Sequence, residues 1–449
     1  MTTVAVDAKV LHVLLFGCHA GILSQERSGS FKFEYDELYR DEPSSTPLST
    51  SMSKVERVHR HREVQAFIWG LLPDNERVLD RWGREYGVPP HNPFALLSYV
   101  GEDCAGAVQF VREERMDAVQ QDGIAWLDDD AELEERLRTL RLDPASWIWD
   151  DVDEHGRFSL AGTQAKTALV RGEDGRWGRP YGRTPTTHIL KVASGRFPHQ
   201  EIAEHLTMRT AALVGMTVAR SELLEVGDER VIVVERYDRV VRPSGIARVH
   251  QEDLCQALSV MPSAKYQADG GPGPVDVVRV LRERISERSR DHAVERFVDA
   301  LIFNWILGGT DAHAKNYSLL LAGPAVELSP LYDLTSAFPY EDELLGRGLT
   351  RGSTRRRLRG LRLAMTIGGE AGIDGILMDN WATFAAHAQV DFDRLAGRIR
   401  HFAERLPDAA TEAGGEIRGG SGSPVIPMII DGVVRRSRRA LSHLDADSG

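Results

Sequence analysis

The sequence has few cysteines, no long uncharged apolar run and no excess of basic residues. Its cysteines, Cys18, Cys104 and Cys255, lie far apart and form no C-x-x-C pair, so they cannot build a metal cage by themselves. No apolar run approaches the roughly 18 residues of a transmembrane helix. The opening residues, Met1–Leu15, lack the basic region and apolar stretch of a signal peptide and are predicted to contain the first strand. These absences predict a soluble protein of the reducing cytoplasm.

The charge balance argues against binding to nucleic acid through the bulk surface. The chain has 55 Lys and Arg against 67 Asp and Glu, a net charge of −12. A protein that holds nucleic acid by its overall surface needs a basic field, although a local basic patch stays open. The length of 449 residues predicts two or three packed units.

The order of strand-like and helix-like segments predicts an α+β protein. A strand-rich segment carrying one helix precedes a helix-rich segment. The predicted organisation is an N-terminal α+β subdomain at 1–115, an acidic connecting segment at 116–150, a β-rich part at 151–237, a mainly helical part at 238–444 and a flexible tail at 445–449. More local predictions are a strand at Phe158–Leu160, a helix at Gln251–Leu258 and a Gly/Ser-rich loop at Gly414–Ser423.

The segment around residue 311 indicates chemistry most clearly. Apolar residues nearly encircle the predicted helix His292–Leu307, which is therefore expected to be buried. Two glycines end it, and the polar loop Thr310–Asn316 leads directly into the apolar strand Tyr317–Leu321. A charged loop between two buried elements is where catalytic groups are commonly held.

The spacing within this loop is that of a protein-kinase catalytic loop. Asp311 and Asn316 stand as in D-x-x-x-x-N, where the Asp accepts the proton of the attacking hydroxyl and the Asn holds Mg²⁺. A predicted hairpin turning at Gly323–Pro324 would return Asp333 to the same site as a second metal ligand. The alternative is a helix cap at Asp311 and a turn at Asp333. The occurrence of all three residues in order across a hairpin favours phosphoryl transfer.

Lys191 is the candidate phosphate anchor. It sits in the apolar strand His188–Val192, where a lysine must either pair or reach a cleft, because burying it alone is costly. Glu204 and Glu201 in the following helix are candidate partners.

Two further segments have both a functional and an ordinary interpretation. The small-residue turn Ser159–Thr167 could cradle phosphates with its N–H groups, but it matches neither G-x-G-x-x-G nor G-x-x-x-x-G-K-[ST], and a plain hairpin turn stays open. The strand Val231–Asp238 ends where a two-lobed kinase offers backbone groups to adenine, and it could equally be an ordinary strand end.

Taken together, these segments resemble HipA-type toxin kinases, the kinase half of a bacterial toxin–antitoxin pair. The resemblance covers about Val10 to Leu406. It is carried by the N-terminal hairpin with Pro47–Met52 and by Ser159–Ala168, Thr187–Lys191, Val234–Arg239, His250–Gln256, Lys265–Gly273, Gly309–Leu320 and Ser329–Phe338.

The resemblance implies a two-lobed protein-kinase-like fold and a serine/threonine kinase that uses ATP and Mg²⁺. It also implies a HipB-like helix-turn-helix antitoxin, with DNA contacted only through that partner. The implied target is a translation protein, glutamyl-tRNA synthetase in the best-studied relatives, whose phosphorylation arrests growth. The segment Val192–His199 is shorter than the corresponding loop of the type member, so the docking surface for the target is expected to differ.

The resemblance also assigns roles to individual residues. Asp311 matches the catalytic base, Asn316 and Asp333 match the metal ligands, and Ser159 matches a serine whose autophosphorylation inactivates the enzyme. The implied nucleotide-binding residues are the phosphate loop, the ATP lysine, the hinge and the lining of the catalytic side: Ala161, Gly162, Thr163, Gln164, Ala165, Lys166, Lys191, Glu235, Arg236, Tyr237, His313, Lys315, Asn316, Tyr332 and Asp333. A small-molecule kinase and a catalytically weak binding or co-repressor module are the alternatives.

Overall fold

A computed structural model describes residues 9–149, 157–243, 245–344, 360–417 and 422–446. The chain forms two compact units, each assembled from separate stretches of sequence. The first unit contains Met1–Ser194, Leu224–Pro262 and Ser318–Ser329, and the second contains Gly195–Leu223, Ser263–Tyr317 and Pro330–Gly449.

The strands, numbered in chain order, are β1 (Lys9–Leu15), β2 (Cys18–Gln25), β3 (Phe31–Tyr35), β4 (Val58–His59), β5 (Val108–Val111), β6 (Asp122–Trp126), β7 (Lys166–Arg171), β8 (Trp177–Gly182), β9 (His188–Val192), β10 (Ser221–Val226), β11 (Glu229–Glu235), β12 (Arg239–Arg242), β13 (Gly245–Arg248), β14 (His250–Asp253), β15 (Ser318–Ala322), β16 (Ala325–Leu328), β17 (Arg362–Ile367) and β18 (Glu370–Gly372).

The α-helices are α1 (Glu37–Asp41), α2 (His61–Gly70), α3 (Glu76–Glu85), α4 (Pro93–Val100), α5 (Asp130–Leu142), α6 (Gln200–Leu213), α7 (Leu254–Ala257), α8 (Pro274–Arg284), α9 (Glu287–Leu307), α10 (Glu341–Leu344), α11 (Met378–Ala388), α12 (Phe392–Glu416) and α13 (Val425–Ala446). Among the described residues, no helix is both long and apolar enough to cross a membrane.

The first unit is built around two sheets that share one hydrophobic core. The N-terminal sheet has the order β4-β3-β2-β1-β5, and a six-stranded sheet has the order β10-β11-β9-β7-β8-β6. In β3 the residues Phe31, Phe33 and Tyr35 are buried while Lys32 and Glu34 are half-buried, as the strict alternation of the sequence predicts. The helix α5, which carries most of the acidic run, packs Leu133, Leu137 and Leu140 into the same core.

The predicted hairpin after Asn316 is confirmed. Its strands β15 and β16 pair in antiparallel register around Gly323–Pro324, and β15 also pairs with β14. Gly323 adopts φ of +58°, a conformation that glycine supplies at little cost. The hairpin belongs to the first unit, whereas the loops on either side of it belong to the second.

The second unit is a helical assembly centred on α9. Its residues Phe297 and Trp305 are almost fully buried, as is Trp381 of α11, and the rings of Trp305 and Trp381 pack edge to face with centroids 5.5 Å apart. The Trp305 indole N–H also donates to the Ile373 carbonyl at 3.1 Å. The burial predicted for the helix before Gly308 is therefore confirmed.

Three local predictions were wrong in part. Gln251–Asp253 belongs to β14 rather than to a helix, because Asp253 and Gln256 form a capping box that starts α7 only at Leu254. In Phe158–Leu160 only Ser159 makes a β-bridge, to Cys104. The predicted Gly414–Ser423 loop overlaps the last turn of α12, and its residues 418–421 lie outside the described residues.

The helix α13 continues to Ala446, two residues into the predicted tail. Residues 447–449 of that tail lie outside the described part of the chain. The subdomain boundaries of the sequence analysis stay predictions.

Candidate active site

The predicted catalytic loop follows α9 in the second unit. Gly308 ends the helix with φ of +67°, and its N–H donates to the Asn304 carbonyl. A Cβ at Gly309 would lie 2.1 Å from Oδ1 of Asn304, so only glycine fits there. The two glycines therefore turn the chain sharply out of a buried helix into the polar loop.

Hydrogen bonds within the loop fix Asn316 relative to Asp311. The Asn316 side chain donates from Nδ2 to the Asp311 carbonyl at 3.0 Å, and the His313 N–H donates to the same carbonyl at 2.8 Å. Asn316 ends a short 3₁₀ turn, Ala314–Asn316, and is buried, whereas Asp311 is exposed. The D-x-x-x-x-N spacing thus closes a compact loop with an exposed carboxylate and a buried amide.

Asp333 lies on a segment that returns to this loop. Tyr332 donates its hydroxyl to the Lys315 carbonyl at 2.7 Å. The preceding Leu331 is held by two backbone hydrogen bonds, from its N–H to the Thr217 carbonyl at 2.9 Å and from the Ala219 N–H to its own carbonyl at 2.8 Å. The structure therefore brings Tyr332, the residue before Asp333, into contact with Lys315, the residue before Asn316.

Asp333 has a left-handed backbone conformation, with φ of +57°, which residues other than glycine rarely adopt. A residue other than glycine is held there only when its surroundings determine it, and such strain concentrates at functional sites. The hydrogen bonds of Leu331 and Tyr332, just before Asp333, hold the backbone in this conformation.

The donor atoms of Asn316 and Asp333 fit a magnesium ion. Because Nδ2 of Asn316 is committed to the Asp311 carbonyl, the amide oxygen is the atom that can serve a cation. An amide oxygen and a carboxylate are the hard oxygen ligands that Mg²⁺ prefers, and one or two such ligands suffice when phosphates and water complete the octahedron.

Lys191 lies on β9 in the first unit and is buried, with 7% of its surface exposed. It stands opposite Lys166 of β7 in the antiparallel ladder. The Lys166 ammonium donates to the Ala161 carbonyl at 2.6 Å and lies 4.9 Å from the centroid of the Trp147 ring. Lys166 therefore closes the Ser159–Thr167 turn onto itself.

The candidate phosphate loop is tied to the N-terminal part of the first unit. The Asp74 N–H donates to the Gly162 carbonyl at 3.0 Å, and the Asn75 side chain donates to the Thr163 carbonyl at 3.1 Å. Gln164 donates from Nε2 to the Val192 carbonyl at 3.3 Å, next to Lys191 in sequence. The loop includes Gly162 at φ of +107° and ends at Ala165, where β7 begins.

Ser159, at the start of this loop, is fully buried. Its hydroxyl donates to the Leu71 carbonyl at 2.8 Å, and its N–H donates to the Asp103 carbonyl at 2.9 Å. In this conformation the hydroxyl is covered by protein on every side.

The candidate hinge, Glu235–Tyr237, follows β11. Glu235 pairs with His188 across the ladder and has an exposed side chain, and the Arg236 N–H donates to the Thr187 carbonyl at 2.9 Å. The Tyr237 hydroxyl donates to Oε1 of Gln251. The backbone at this strand end is thus fixed on one side by the sheet.

The Arg236 side chain belongs to a buried ionic cluster that the sequence analysis did not identify. It donates to both carboxylate oxygens of Asp238, at 3.0 and 2.9 Å, and to the Cys104 carbonyl at 2.9 Å. Arg239 donates to Asp103 at 3.0 Å, and Arg248 also contacts Asp103. We call Asp103, Arg236, Asp238, Arg239 and Arg248 the buried ionic cluster.

The cluster holds Asp103 in its charged form. Burial by itself raises the pKa of Asp103, but the guanidinium groups of Arg248, Arg236 and Arg239 outweigh it and hold the pKa below its usual range. For the same reason the pKa of Asp238 is lowered, by Arg236 and Arg239. The Arg236 guanidinium is therefore paired within the protein interior. The backbone of Arg236 remains part of the candidate hinge.

Tyr266 is a residue of the catalytic side to which the sequence analysis gave no role. Its hydroxyl donates to Oδ1 of Asp311 at 2.6 Å. The available signal was its position in Lys265–Gly273, a segment quoted for the resemblance but not connected to chemistry. Because Tyr266 and Asp311 are 45 residues apart, spacing alone could not reveal the contact.

Comparisons with known proteins agree with this geometry. The family model described as HipA N-terminal domain matches residues 11–111, and the model described as HipA-like C-terminal domain matches residues 158–410. A Sinorhizobium fredii protein named "Putative kinase Y4mE" is 35% identical over 403 residues, covering 89% of this chain and 91% of the relative. The serine/threonine-protein kinase toxin HipA of Shewanella oneidensis is 30% identical over 388 residues, covering 82% and 81%.

A solved structure supports the same conclusion for the fold. The structure of the Shewanella oneidensis MR-1 toxin–antitoxin complex of HipA, HipB and operator DNA contains a chain that matches with a TM-score of 0.82 and 26% identity. The match covers 97% of this chain and 98% of that chain. The α+β kinase-like fold is thus confirmed, and the chain belongs to the HipA family of serine/threonine protein kinases.

Proposed function

We propose that this protein is a toxin kinase that transfers the γ-phosphate of ATP to a serine or threonine of a translation-related protein and thereby arrests growth. The observation that carries the proposal is the closed Asp311–Asn316 loop, with the Tyr332–Asp333 segment hydrogen-bonded beside it. Phosphoryl transfer depends on positioning and charge more than on covalent chemistry, and this arrangement supplies fixed oxygen ligands together with an exposed carboxylate.

In this proposal Asp311 accepts the proton of the attacking hydroxyl. Asn316 and Asp333 would hold the magnesium ion, which supplies positive charge to the phosphates when bound. Lys191, which is buried on β9, would reach the ATP phosphates in the role that the resemblance implies for the ATP lysine.

The remaining nucleotide contacts are proposed as follows. The turn Ala161–Lys166 would approach the phosphates, and the backbone of Glu235–Tyr237 would face adenine. His313, Lys315 and Tyr332 would line the nucleotide on the catalytic side; the Tyr332–Lys315 hydrogen bond keeps two of them together.

We further propose a HipB-like helix-turn-helix antitoxin as the partner, with DNA reached through it, in the cytoplasm. The similarity to a HipA chain solved with HipB and operator DNA supports this partner. Glutamyl-tRNA synthetase is the protein target suggested by resemblance, and the short Val192–His199 segment makes the docking surface the feature most expected to differ.

Autophosphorylation of Ser159 is proposed as an off-switch. A phosphate adds a charge of about −1.5 to −2, and Ser159 is fully buried against the Leu71 carbonyl. A phosphorylated Ser159 could not keep this position, so the phosphate loop would have to leave it. Such a displaced loop would no longer hold ATP.

Two other functions stay as alternatives. A small-molecule kinase on the same scaffold would label metabolites rather than proteins. A binding or co-repressor module would bind its partner without measurable ATP turnover; the retention of Lys191, Asp311, Asn316 and Asp333 together argues against it.

The decisive experiment is phosphoproteomics of cells in which the wild type or Asp311→Gln is induced. We expect growth arrest and a small set of new phosphoserine or phosphothreonine sites with the wild type alone, including Ser159 of the chain itself. Equal phosphoproteomes, with ATP turnover abolished only in Asp311→Gln, would indicate the small-molecule alternative. Absence of ATP turnover in the wild type would refute the kinase proposal.

A further inference from the structure

The segment Lys265–Gly273 is built to hold its second residue in a fixed place. After Tyr266 the chain forms a 3₁₀ turn, Gln267–Asp269, and the N–H groups of Asp269 and Gly271 both donate to the Tyr266 carbonyl at 3.0 Å. Two donors on one carbonyl fold the segment tightly back on itself.

Glycine is required at two positions of this segment. Gly270 has φ of +87°, which only glycine adopts readily. A Cβ at Gly271 would lie 2.0 Å from the Ala264 carbonyl oxygen and 2.8 Å from that of Tyr266. The two glycines therefore allow the chain to turn back closely around Tyr266.

The two residues that flank Tyr266 are also hydrogen-bonded to elements outside the segment. The Thr366 N–H of β17 donates to Oε1 of Gln267 at 2.7 Å. The Ala314 N–H of the catalytic loop donates to the Lys265 carbonyl at 3.4 Å. The Lys265 backbone and the Gln267 side chain, on either side of Tyr266, are thus tied to two other elements of the second unit.

The Tyr266 side chain lies against the catalytic loop. Its ring packs edge to face with His313, with centroids 4.9 Å apart, and its hydroxyl donates to Oδ1 of Asp311 at 2.6 Å. The Lys265 ammonium lies 5.6 Å from the centroid of the same ring. A hydrogen bond to a charged carboxylate is about twice as strong as a neutral one, so this contact restrains the side chain of an aspartate that is otherwise exposed.

The effect of that constraint follows from the shape of a carboxylate. The Asp311 backbone is fixed through its carbonyl, which accepts from His313 and Asn316, but this leaves rotation about the side-chain bonds. Holding Oδ1 from a rigid segment removes that rotation and sets the direction of Oδ2. A general base acts only when it lies within hydrogen-bond reach of the proton it accepts, and such bases are commonly oriented by a third group.

We propose that Tyr266 is a positioning residue that orients the Asp311 carboxylate toward the acceptor hydroxyl through its own hydroxyl. This inference rests on the proposed function, in which Asp311 is the base. The competing interpretation is that the Tyr266 hydroxyl occupies the place of the acceptor hydroxyl and must leave before a substrate binds.

The test is a steady-state comparison of the wild type with Tyr266→Phe, which keeps the ring against His313 and removes only the hydroxyl. Transfer from labelled ATP is measured to the chain itself and to the proteins of a bacterial lysate. We expect kcat to fall about 10- to 100-fold, the size expected for a misdirected reacting group, with KM for ATP and the melting temperature unchanged. A merely structural role would lower the melting temperature or raise KM instead.

Tyr39→Phe is the matched control, because Tyr39 also loses a hydroxyl hydrogen bond to a backbone carbonyl, that of Thr46 at 2.9 Å, and belongs to neither the catalytic loop nor the proposed docking segment. It should keep the wild-type kcat. A wild-type kcat in Tyr266→Phe would overturn the positioning role, and an increased kcat or a lower KM for lysate acceptors would establish the competing interpretation. A wild type that transfers no phosphate would instead refute the proposed function, so the two failures are distinguishable.

Discussion

The candidate hinge and the catalytic loop both contain several charged residues, but they use them in opposite ways. The side chain of Arg236 in the hinge and that of Asp238 just after it are only 2% and 3% exposed and are paired with each other. In the catalytic loop, Asp311 is exposed, and Oδ1 of its carboxylate accepts a hydrogen bond from the Tyr266 hydroxyl. Charges that are buried and matched to each other belong to the folded interior, whereas an exposed carboxylate can be reached by a substrate.

A charged residue at a position that resembles a nucleotide-binding site does not have to bind nucleotide with its side chain. Arg236 matches a hinge position by resemblance, yet its guanidinium serves the buried ionic cluster, so only the backbone of that position is left for nucleotide. Charge by itself did not separate the two kinds of residue, whereas the burial of their side chains did.

The largest expected effect concerns Asp311. Asp311→Asn keeps the size of the side chain and removes its ability to accept a proton, so phosphate transfer should fall about 1000-fold, equivalent to about 4 kcal/mol of barrier. Because Asp311 is exposed, the unfolding midpoint in denaturant should move little. Labelled-ATP transfer and a urea melt measure the two effects. Retained transfer would remove Asp311 from the role of base.

The reverse pattern is expected for Asp103. Asp103→Ala leaves Arg236, Arg239 and Arg248 buried without that carboxylate, and breaking a buried ionic group costs about 3 kcal/mol or more. The first unit should therefore unfold at lower denaturant. Asp174→Ala is the control, because the Asp174–Arg176 pair lies at the surface, where water screens the attraction between the two charges and the pair adds little to stability. If both substitutions lowered the unfolding midpoint equally, burial of the ionic cluster would not explain its contribution to stability.

Ser159 tests whether the phosphate loop depends on a buried hydroxyl. Ser159→Asp would place a carboxylate against the Leu71 carbonyl, so the loop should leave its site and transfer should fall about 100-fold, with weaker ATP binding. Ser159→Ala should lose only about 1 kcal/mol of stability and remain active. Calorimetric ATP titration of both variants checks this. Full activity and ATP affinity in Ser159→Asp would end the off-switch proposal.

The smallest effect is expected at Glu252, a buried carboxyl of the first unit that has hydroxyl and amide donors rather than arginines. Burial raises its pKa to about 7, against hydrogen bonds from Ser49 and Thr50 that favour the charged form. The folded state therefore binds the proton more tightly, so this stabilisation is complete below about pH 4.5 and is lost as the pH rises through 7. Glu252→Gln should remove about 1–3 kcal/mol of that pH dependence.

Unfolding free energies at pH 5 and pH 8 measure the effect of Glu252→Gln. The variant should gain stability relative to the wild type at the higher pH. An unchanged difference between the two pH values would show that Glu252 is not the titrating group.

Several features could be predicted because they depend on local sequence. The buried helix before Gly308, the alternating strand Phe31–Tyr35 and the hairpin at Gly323–Pro324 were all predicted from periodicity and turn residues. The helix predicted at Gln251–Leu258 was wrong in its first half, since pairing of β14 with β15 outweighed the local pattern.

The sequence by itself determined the Asp311–Asn316 loop and the hairpin that precedes Asp333, because both close between residues that are near each other in the chain. Only the tertiary structure decided which partners these and other charged groups have. The contact of Tyr266 with Asp311 spans 45 residues, that of Ser159 with Leu71 spans 88, and that of Arg236 with Cys104 spans 132. Such pairs leave no periodicity in the chain, since they form only when separate elements pack together.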